Sequence, residues 1–166
     1  MNKTALQWMV TPLQNYANFS GRAPRAEYWW FILFQILLSI VTGIIDAVSG
    51  VAIIGTLVSL AFLVPNVAVA VRRLHDIGRS GWWYLLPLGV GFAAVAVLVG
   101  LMGITALTAG QWSESRGMVG LLIGSGLAIL AAAVLQLVWF CTASQPFTNK
   151  WGPNPYGPQD VAQDFA

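Results

Sequence analysis

Four long apolar runs dominate the pattern of hydrophobic and polar positions along this chain, at residues 28–45, 51–71, 82–109 and 117–143. No Asp, Glu, Lys, Arg or His interrupts any of them. A helix needs about 20 predominantly apolar residues to cross the hydrocarbon core of a bilayer, whereas a membrane β-barrel is built from short strands of alternating polarity. The pattern therefore predicts an all-α integral membrane protein with four transmembrane helices.

The connections between the runs are short, at 46–50, 72–81 and 110–116. Short connections place consecutive helices side by side and antiparallel. We therefore expect an antiparallel four-helix bundle in residues 21–143, preceded by an amino-terminal arm in residues 1–20.

Residues 4–19 of the arm leave two interpretations open. Apolar side chains recur there at near-helical spacing, which favours an amphipathic helix lying in the membrane interface; they are Leu6, Met9, Val10, Leu13 and Ala17. Pro12 favours a loosely ordered arm instead, because an interior proline breaks the hydrogen-bond ladder of a helix.

The pattern changes after Ala143. Residues 144–158 contain four prolines and two glycines, a composition typical of turns and extended segments. We expect a Pro/Gly-rich tail at 144–166 without helix, and disorder in its last residues, 159–166.

The composition agrees with a membrane protein. Hydrophobic residues make up 57% of the chain and charged residues 8%, against roughly 25% charged residues in a soluble domain. The mean hydropathy is +0.71. The net charge is only +2, and the basic residues flank apolar runs instead of forming a stripe, so no nucleic-acid partner is expected.

The basic residues are distributed unevenly across the predicted membrane. Arg116 lies in the connection between the third and fourth runs. The other seven Lys and Arg residues all fall on the side that holds both termini; they are Lys3, Arg22, Arg25, Arg72, Arg73, Arg79 and Lys150. Because Lys and Arg accumulate in cytoplasmic loops, both termini are predicted to be cytoplasmic.

The central motif, residues 72–83 (RRLHDIGRSGWW), holds five of the fifteen Lys, Arg, Asp, Glu and His side chains, including the only histidine. Gly78 suits the C-terminal end of a helix, and Ser80 suits the N-cap of the next one. The motif is therefore predicted to form a tight helical hairpin at the membrane surface. Trp82 and Trp83 would lie at the level of the lipid headgroups.

The amino-terminal motif, residues 19–29, carries complementary charge. Pro24 suits the first position of a helix, and Glu27 then falls in the first turn, where the helix dipole favours an anion. Glu27 is expected at the same depth as two basic residues of the neighbouring helix. We therefore predict an ion pair between Glu27 and either Arg72 or Arg73.

Two interpretations of the charged residues remain open. In the first, they fix the topology and clamp helices together, and Asp76 pairs with Arg22 or Arg25. In the second, the excess of guanidinium groups binds anionic lipid headgroups or an acidic segment of a membrane-protein partner. We expect these residues to form a cap at the cytoplasmic end of the bundle. Its candidate residues are Arg22, Arg25, Glu27, Arg72, Arg73, His75, Asp76 and Arg79.

Catalysis is not expected. His75 has no second metal ligand or nucleophile in a recognisable pattern, and Cys141 lies in an apolar run, where a free cysteine behaves as a small hydrophobic residue. One His and one Cys do not supply the usual ligands of zinc, haem or an iron–sulfur cluster within one chain. We therefore expect no metal and no cofactor.

Several polar and small residues lie within the predicted spans. Gln35, Asn66 and Gln136 would either bond across helices or line a path through the membrane. Gly120 and Gly124 form a Gly-x-x-x-Gly pair that permits close helix approach, either within the bundle or in a homo-oligomer.

Three motifs resemble those of the bacterial inner-membrane family known as domain of unknown function 805. They are the central motif, the amino-terminal motif (FSGRAPRAEYW) and a closing motif at residues 149–157 (NKWGPNPYG). The resemblance implies a multi-pass protein of the bacterial inner membrane, and it implies no activity, substrate or cofactor. We expect an accessory or regulatory protein that binds a partner or anionic lipid through its cap; the alternative is a small oligomeric channel or transporter.

Overall fold

A computed structural model of the chain describes residues 3–51, 53–109 and 116–157, and its regular structure is helical. The helices are α1 (Ala5–Gln14), α2 (Arg25–Ser49), α3 (Ile54–Asp76), α4 (Leu86–Ala109) and α5 (Arg116–Cys141), with a 3₁₀ helix at Gly81–Leu85. Four segments are long and apolar enough to cross a membrane; they are Arg25–Ser49, Ile54–Asp76, Gly81–Gly100 and Leu122–Cys141. The prediction of four transmembrane helices is confirmed.

The helix ends differ from the ends of the apolar runs. α2 starts at Arg25, three residues before the first run, and α3 continues to Asp76, beyond the second. Pro24 is the N-cap and not the first helical residue, because its ψ of 163° is extended. The third run starts as a 3₁₀ helix, since Pro87 has no N–H for the carbonyl of Trp83 and is tolerated only in the first turn of α4.

The described residues form two compact units. The first contains the chain up to Trp83 together with the residues from Phe140 onward, and the second spans Tyr84 to Trp139. In the first unit α2 packs against α3 after a tight turn at Gly50, whose φ of 70° is left-handed. Asp46 of α2 caps α3, because its carboxylate accepts hydrogen bonds from the first amides of that helix, Ile54 N (3.0 Å) and Gly55 N (2.8 Å).

The amino-terminal arm is helical only at residues 5–14, and turns follow. Thr4 and Gln7 form a capping box that starts α1, and Pro12 is buried near its end. Beyond α1, the Tyr16 hydroxyl donates to the carbonyl of Ala61 in α3. Pro65 lies four residues after Ala61 and has no N–H to offer that carbonyl, so Tyr16 supplies the missing donor.

The second unit contains α4 and most of α5. The Gln136 carboxamide is buried and donates weakly to the carbonyl of Tyr84, at 3.4 Å. Gly120 and Gly124 line a cavity of about 390 Å³ between the two helices. A Cβ at either glycine would meet nothing within 4 Å in the described structure, so the expected close contact within the bundle is not seen there. A homo-oligomer at this face stays a prediction, as does disorder in 159–166, which lies outside the described residues.

Candidate functional site

A network of buried charges closes one end of the first unit and includes the three motifs; we call it the charged cap. Its centre is Asp76, whose side chain is fully buried at the end of α3. One carboxylate oxygen accepts from Arg22 Nε at 3.0 Å, and the other accepts from Arg73 Nη1 and from the hydroxyl of Ser144. The predicted pair of Asp76 with Arg22 is therefore present. Two guanidinium groups compensate the desolvation of one carboxylate.

Arg22 uses its remaining donors to hold the tail. Its two terminal nitrogens donate to the carbonyls of Gln145 (2.6 Å), Phe147 (2.8 Å), Asp76 (3.3 Å) and Gly152 (3.4 Å). A guanidinium group has five N–H donors in a rigid fork, and this arrangement occupies them within the protein. Arg22 is thus a clamp, with its side chain 1% exposed.

Two further arginines cap the C-terminal end of α5. Arg73 donates to the carbonyls of Phe140 (3.2 Å) and Thr142, and Arg25 donates to that of Cys141 at 3.5 Å. The last carbonyls of a helix have no partner within the helix and carry its negative dipole end. Cationic donors therefore stabilise the end of α5.

Backbone contacts join the same segments. Ala23 N donates to the carbonyl of Arg72 (3.0 Å), and Gln145 N donates to that of Asp76 (3.1 Å). Gly78 ends α3 with a φ of 79°, and a Cβ at this position would overlap the Gln145 side chain. The left-handed conformation therefore favours glycine at this position, and a Cβ would also displace the end of the Gln145 side chain.

His75 is part of the packing of the cap. Its ring stacks on Trp151 with 4.5 Å between centroids and an angle of 11°, and its Nδ1 lies 3.2 Å from the carbonyl of Gly21. Asn149 donates to the carbonyl of His75 at 2.9 Å. These contacts give His75 a structural role.

A second buried ion pair links α2 to α3. Arg72 Nη1 lies 2.8 Å from Glu27 Oε1, and both side chains are 5% exposed. The pair predicted between Glu27 and one of the two arginines is therefore present. Arg72 Nε and Nη2 have no hydrogen-bond partner among the described residues, in contrast to the donors of Arg22.

The outer rim of the cap is open. Arg25 is exposed, and a groove of about 380 Å³ runs along the outer face of α2; its walls are Arg25, Ala26, Trp29, Trp30 and Leu33. Arg79 follows the end of α3 and is half-buried, with its amide bonded to the carbonyl of Leu74 at 2.9 Å.

The polar residues predicted within the spans do not form one group. Gln35 and Asn66 line a single groove of about 300 Å³ between α2 and α3. Gln136 belongs to the second unit. Sequence reasoning missed Ser144 and Gln145 as members of the cap, and their only signal was their position in a Pro/Gly-rich segment before the closing motif. Asn149 is the first residue of that motif.

Four helices able to cross a bilayer, and a charge network buried at one end of the first unit, define a multi-pass membrane protein with an internally clamped cap. The chain belongs to the family described as protein of unknown function DUF805, whose model matches residues 16–153. The resemblance found in the sequence is confirmed.

Relatives support the same location. The inner membrane protein YhaI of Escherichia coli K12 is 42% identical over 83 residues, which cover 49% of this chain and 70% of the relative. The inner membrane protein YhaH of the same strain is 42% identical over 89 residues, covering 50% and 74%. The uncharacterized protein YiiR is 29% identical over 166 residues, covering 95% and 92%. No solved structure matches the chain. The chain is a multi-pass protein of the inner membrane.

Proposed function

We propose that this protein is a non-catalytic accessory protein of the inner membrane that binds an anionic lipid headgroup at the rim of its cap. The observation that carries the proposal is the position of Arg25. This arginine is exposed beside Trp29 and Trp30, whereas Arg22 and Arg73 are buried in internal pairs. The buried ion pairs of the cap therefore hold Arg25 in position, and the exposed rim is the part that contacts the lipid headgroup.

The chemistry of the rim groove suits a lipid. Indole rings favour the headgroup level of a bilayer, and a guanidinium group at the same level attracts phosphate. Leu33 lies two turns further along α2 and extends the groove toward the acyl chains. The uneven distribution of Lys and Arg supports a cytoplasmic position of the cap. The cytoplasmic leaflet contains anionic lipids, which attract basic residues near the membrane surface.

The alternative of a channel within one chain receives less support. The groove that holds Gln35 and Asn66 lies next to a cluster of stacked aromatic rings, in which Phe31 and Phe62 are 6.0 Å apart. Phe31, which lies between Glu27 and Gln35 in the sequence of α2, is fully buried. Gln136, the third polar residue of the predicted path, belongs to the other unit.

Lipid preference tests the proposal. The purified protein is exchanged into nanodiscs with phosphatidylglycerol and phosphatidylcholine, and retained lipid is measured by native mass spectrometry. We expect a preference for phosphatidylglycerol that Arg25→Gln lowers about fivefold, the equivalent of about 1 kcal/mol for one basic residue at the membrane surface.

Lys150→Gln is the matched control, because Lys150 is an exposed cation of the cap outside the rim groove and rests on the Trp151 ring at 4.2 Å. It should leave the preference unchanged. Equal loss in both variants would indicate general charge attraction, and an unchanged preference in Arg25→Gln would refute the proposal. Binding of an acidic peptide in place of lipid would point to a protein partner.

A further inference from the structure

A polar groove lies between α2 and α3, away from the charged cap. Its volume is about 300 Å³, twice the roughly 150 Å³ cavity that holds a benzene molecule in an apolar core. Its polar lining comes from five residues in otherwise apolar helices: Gln35, Ser39, Thr42, Ser59 and Asn66.

The groove lies at the depth of the bilayer interior. Gln35 is eight residues beyond Glu27 in α2, and Asn66 is six residues before Arg72 in α3. At 1.5 Å per residue, both carboxamides are about 9–12 Å along the helices from the Glu27–Arg72 ion pair. Half of a hydrocarbon core is about 15 Å thick, so a ligand at this depth is surrounded by acyl chains.

The hydroxyl groups of the groove are already bonded within their own helices. Ser39 donates to the carbonyl of Ile36 at 2.8 Å, Thr42 to that of Leu38 at 3.1 Å, and Ser59 to that of Gly55 at 2.7 Å. These bonds are usual for Ser and Thr in membrane helices. The hydroxyls therefore do not require an additional partner.

The two carboxamides do require one. Neither Gln35 nor Asn66 makes a hydrogen bond within the part of the chain that the structure describes. Together they offer two carbonyl acceptors and four N–H donors. Polar groups left without partners in hydrocarbon are strongly unfavourable. Both side chains are half-buried, so a polar group from outside the first unit can reach these donors and acceptors and satisfy them.

The shape and charge of the groove limit the ligand. No ionisable side chain lines it, so a neutral ligand is favoured. Phe62 lines the groove, and its ring centroid lies 6.0 Å from that of Phe31 and 5.9 Å from that of Phe34. Ile36 and Leu63 at its rim are 50% and 57% exposed, which leaves a lateral opening toward lipid. An apolar tail can lie there.

We propose that the groove between α2 and α3 binds the compact, neutral, oxygen-bearing headgroup of a membrane-soluble compound, with its carbonyl or hydroxyl oxygens bonded to Gln35 and Asn66. A substituted ring of the quinone or quinol type on an apolar tail has this chemistry. The site is independent of the lipid groove at Arg25.

Two probes test the site in nanodiscs of phosphatidylcholine: decyl-benzoquinone, which carries two carbonyl oxygens, and decylbenzene, which carries none. We expect the wild-type protein to bind the quinone more tightly. Gln35→Leu and Asn66→Leu should each weaken that binding roughly fivefold, the effect of one neutral hydrogen bond, and should leave decylbenzene binding unchanged. Gln136→Leu removes a carboxamide from the other unit and should retain full binding.

Three results would overturn the proposal. One is equal binding of the two probes by the wild-type protein, or an unchanged preference in both leucine variants. Another is an oligomer that Gln35→Leu or Asn66→Leu dissociates, because the carboxamides would then pair with a second chain. The last is rapid modification of Ser59→Cys, a groove residue outside the proposed ligand contacts, in a Cys141→Ser background, by a membrane-impermeant maleimide that the quinone does not slow. The groove would then be a water-filled path. Arg25→Gln should not affect probe binding, so the site and the proposed function fail separately.

Discussion

Asp76 is the residue on which the cap depends most. It faces two guanidinium groups and a hydroxyl, and its side chain is fully buried. Breaking a buried ion pair by removing one partner is strongly destabilising, because the remaining charge stays buried without compensation. Removal of the Asp76 charge would leave two buried guanidinium groups, those of Arg22 and Arg73, without a carboxylate.

We predict that Asp76→Asn lowers the free energy of unfolding by about 3–5 kcal/mol. The measurement is chemical unfolding in detergent micelles, followed by circular dichroism. Arg25→Gln changes an exposed cation that makes one long hydrogen bond to the end of α5, at 3.5 Å, and should shift the same free energy by no more than about 1 kcal/mol. Similar stability of Asp76→Asn and wild type would show that the network contributes little to the fold.

The other ion pair gives a different expectation. Glu27→Leu or Arg72→Leu alone leaves a buried charge, whereas the double substitution leaves an apolar contact between α2 and α3. Replacing both partners of a buried pair is often neutral or stabilising. We predict that each single variant loses about 3 kcal/mol and that the double variant regains most of it in the same unfolding assay. Additive losses would contradict this view.

Sequence reasoning predicted that Glu27 pairs with Arg72 or Arg73 and Asp76 with Arg22 or Arg25, because opposite charges are scarce here and the antiparallel helices bring them to one depth. The pair of Arg73 with Asp76 was not predicted. It did not predict that Arg22 and Arg73 donate to the carbonyls of residues 140–152. Every residue has a carbonyl, so such contacts leave no mark in the sequence. The arginines of the cap outnumber its acidic residues, and their remaining N–H groups donate mainly to backbone carbonyls of residues 140–152.

At the scale of elements, the amino-terminal arm bonds to α3 at the point where Pro65 interrupts the hydrogen bonds of that helix. Pro65 leaves the Ala61 carbonyl without an intrahelical donor, and the Tyr16 hydroxyl supplies one. The bond joins two segments that the sequence pattern treats as independent. It also explains how the arm can lie against membrane helices while only residues 5–14 are helical.

We predict that Tyr16→Phe lowers the free energy of unfolding by about 1–3 kcal/mol, because it leaves the Ala61 carbonyl unsatisfied. Pro65→Ala restores an N–H to the helix. In that background Tyr16→Phe should have a much smaller effect, and a double-mutant cycle of unfolding free energies measures the difference. An equal effect in both backgrounds would show that Tyr16 acts through packing alone.

At the scale of the whole molecule, the four helices could be predicted from hydropathy because the spans are long and uncharged. Pro24 and Gly78 also indicated where α2 begins and where α3 ends, but the contacts from other segments that hold these ends could not be predicted. α2 begins at Arg25, and α3 continues to Asp76, because the cap neutralises charges that the apolar pattern excludes. The groove that holds Gln35 and Asn66 depends on how α2 packs against α3, and the spacing of polar residues along the sequence does not define that packing.

The orientation of the molecule gives a further prediction. In a Cys141→Ser background, Thr148→Cys should be protected from an impermeant maleimide added to intact cells and labelled after permeabilisation, because the cap is expected in the cytoplasm. Ser49→Cys, at the opposite end of α2, should be labelled in intact cells. The reverse pattern would place the cap outside and would contradict the charge argument.

The long sequence separation of the cap contacts has a consequence for biosynthesis. Arg22 and Asp76 leave the ribosome well before Gln145, Phe147 and Gly152, whose carbonyls occupy the donors of Arg22. During that interval the first two spans can insert, but their charged ends must remain hydrated. Residues 145–152, which are synthesised after all four spans, therefore complete the maturation of the helices that were inserted first.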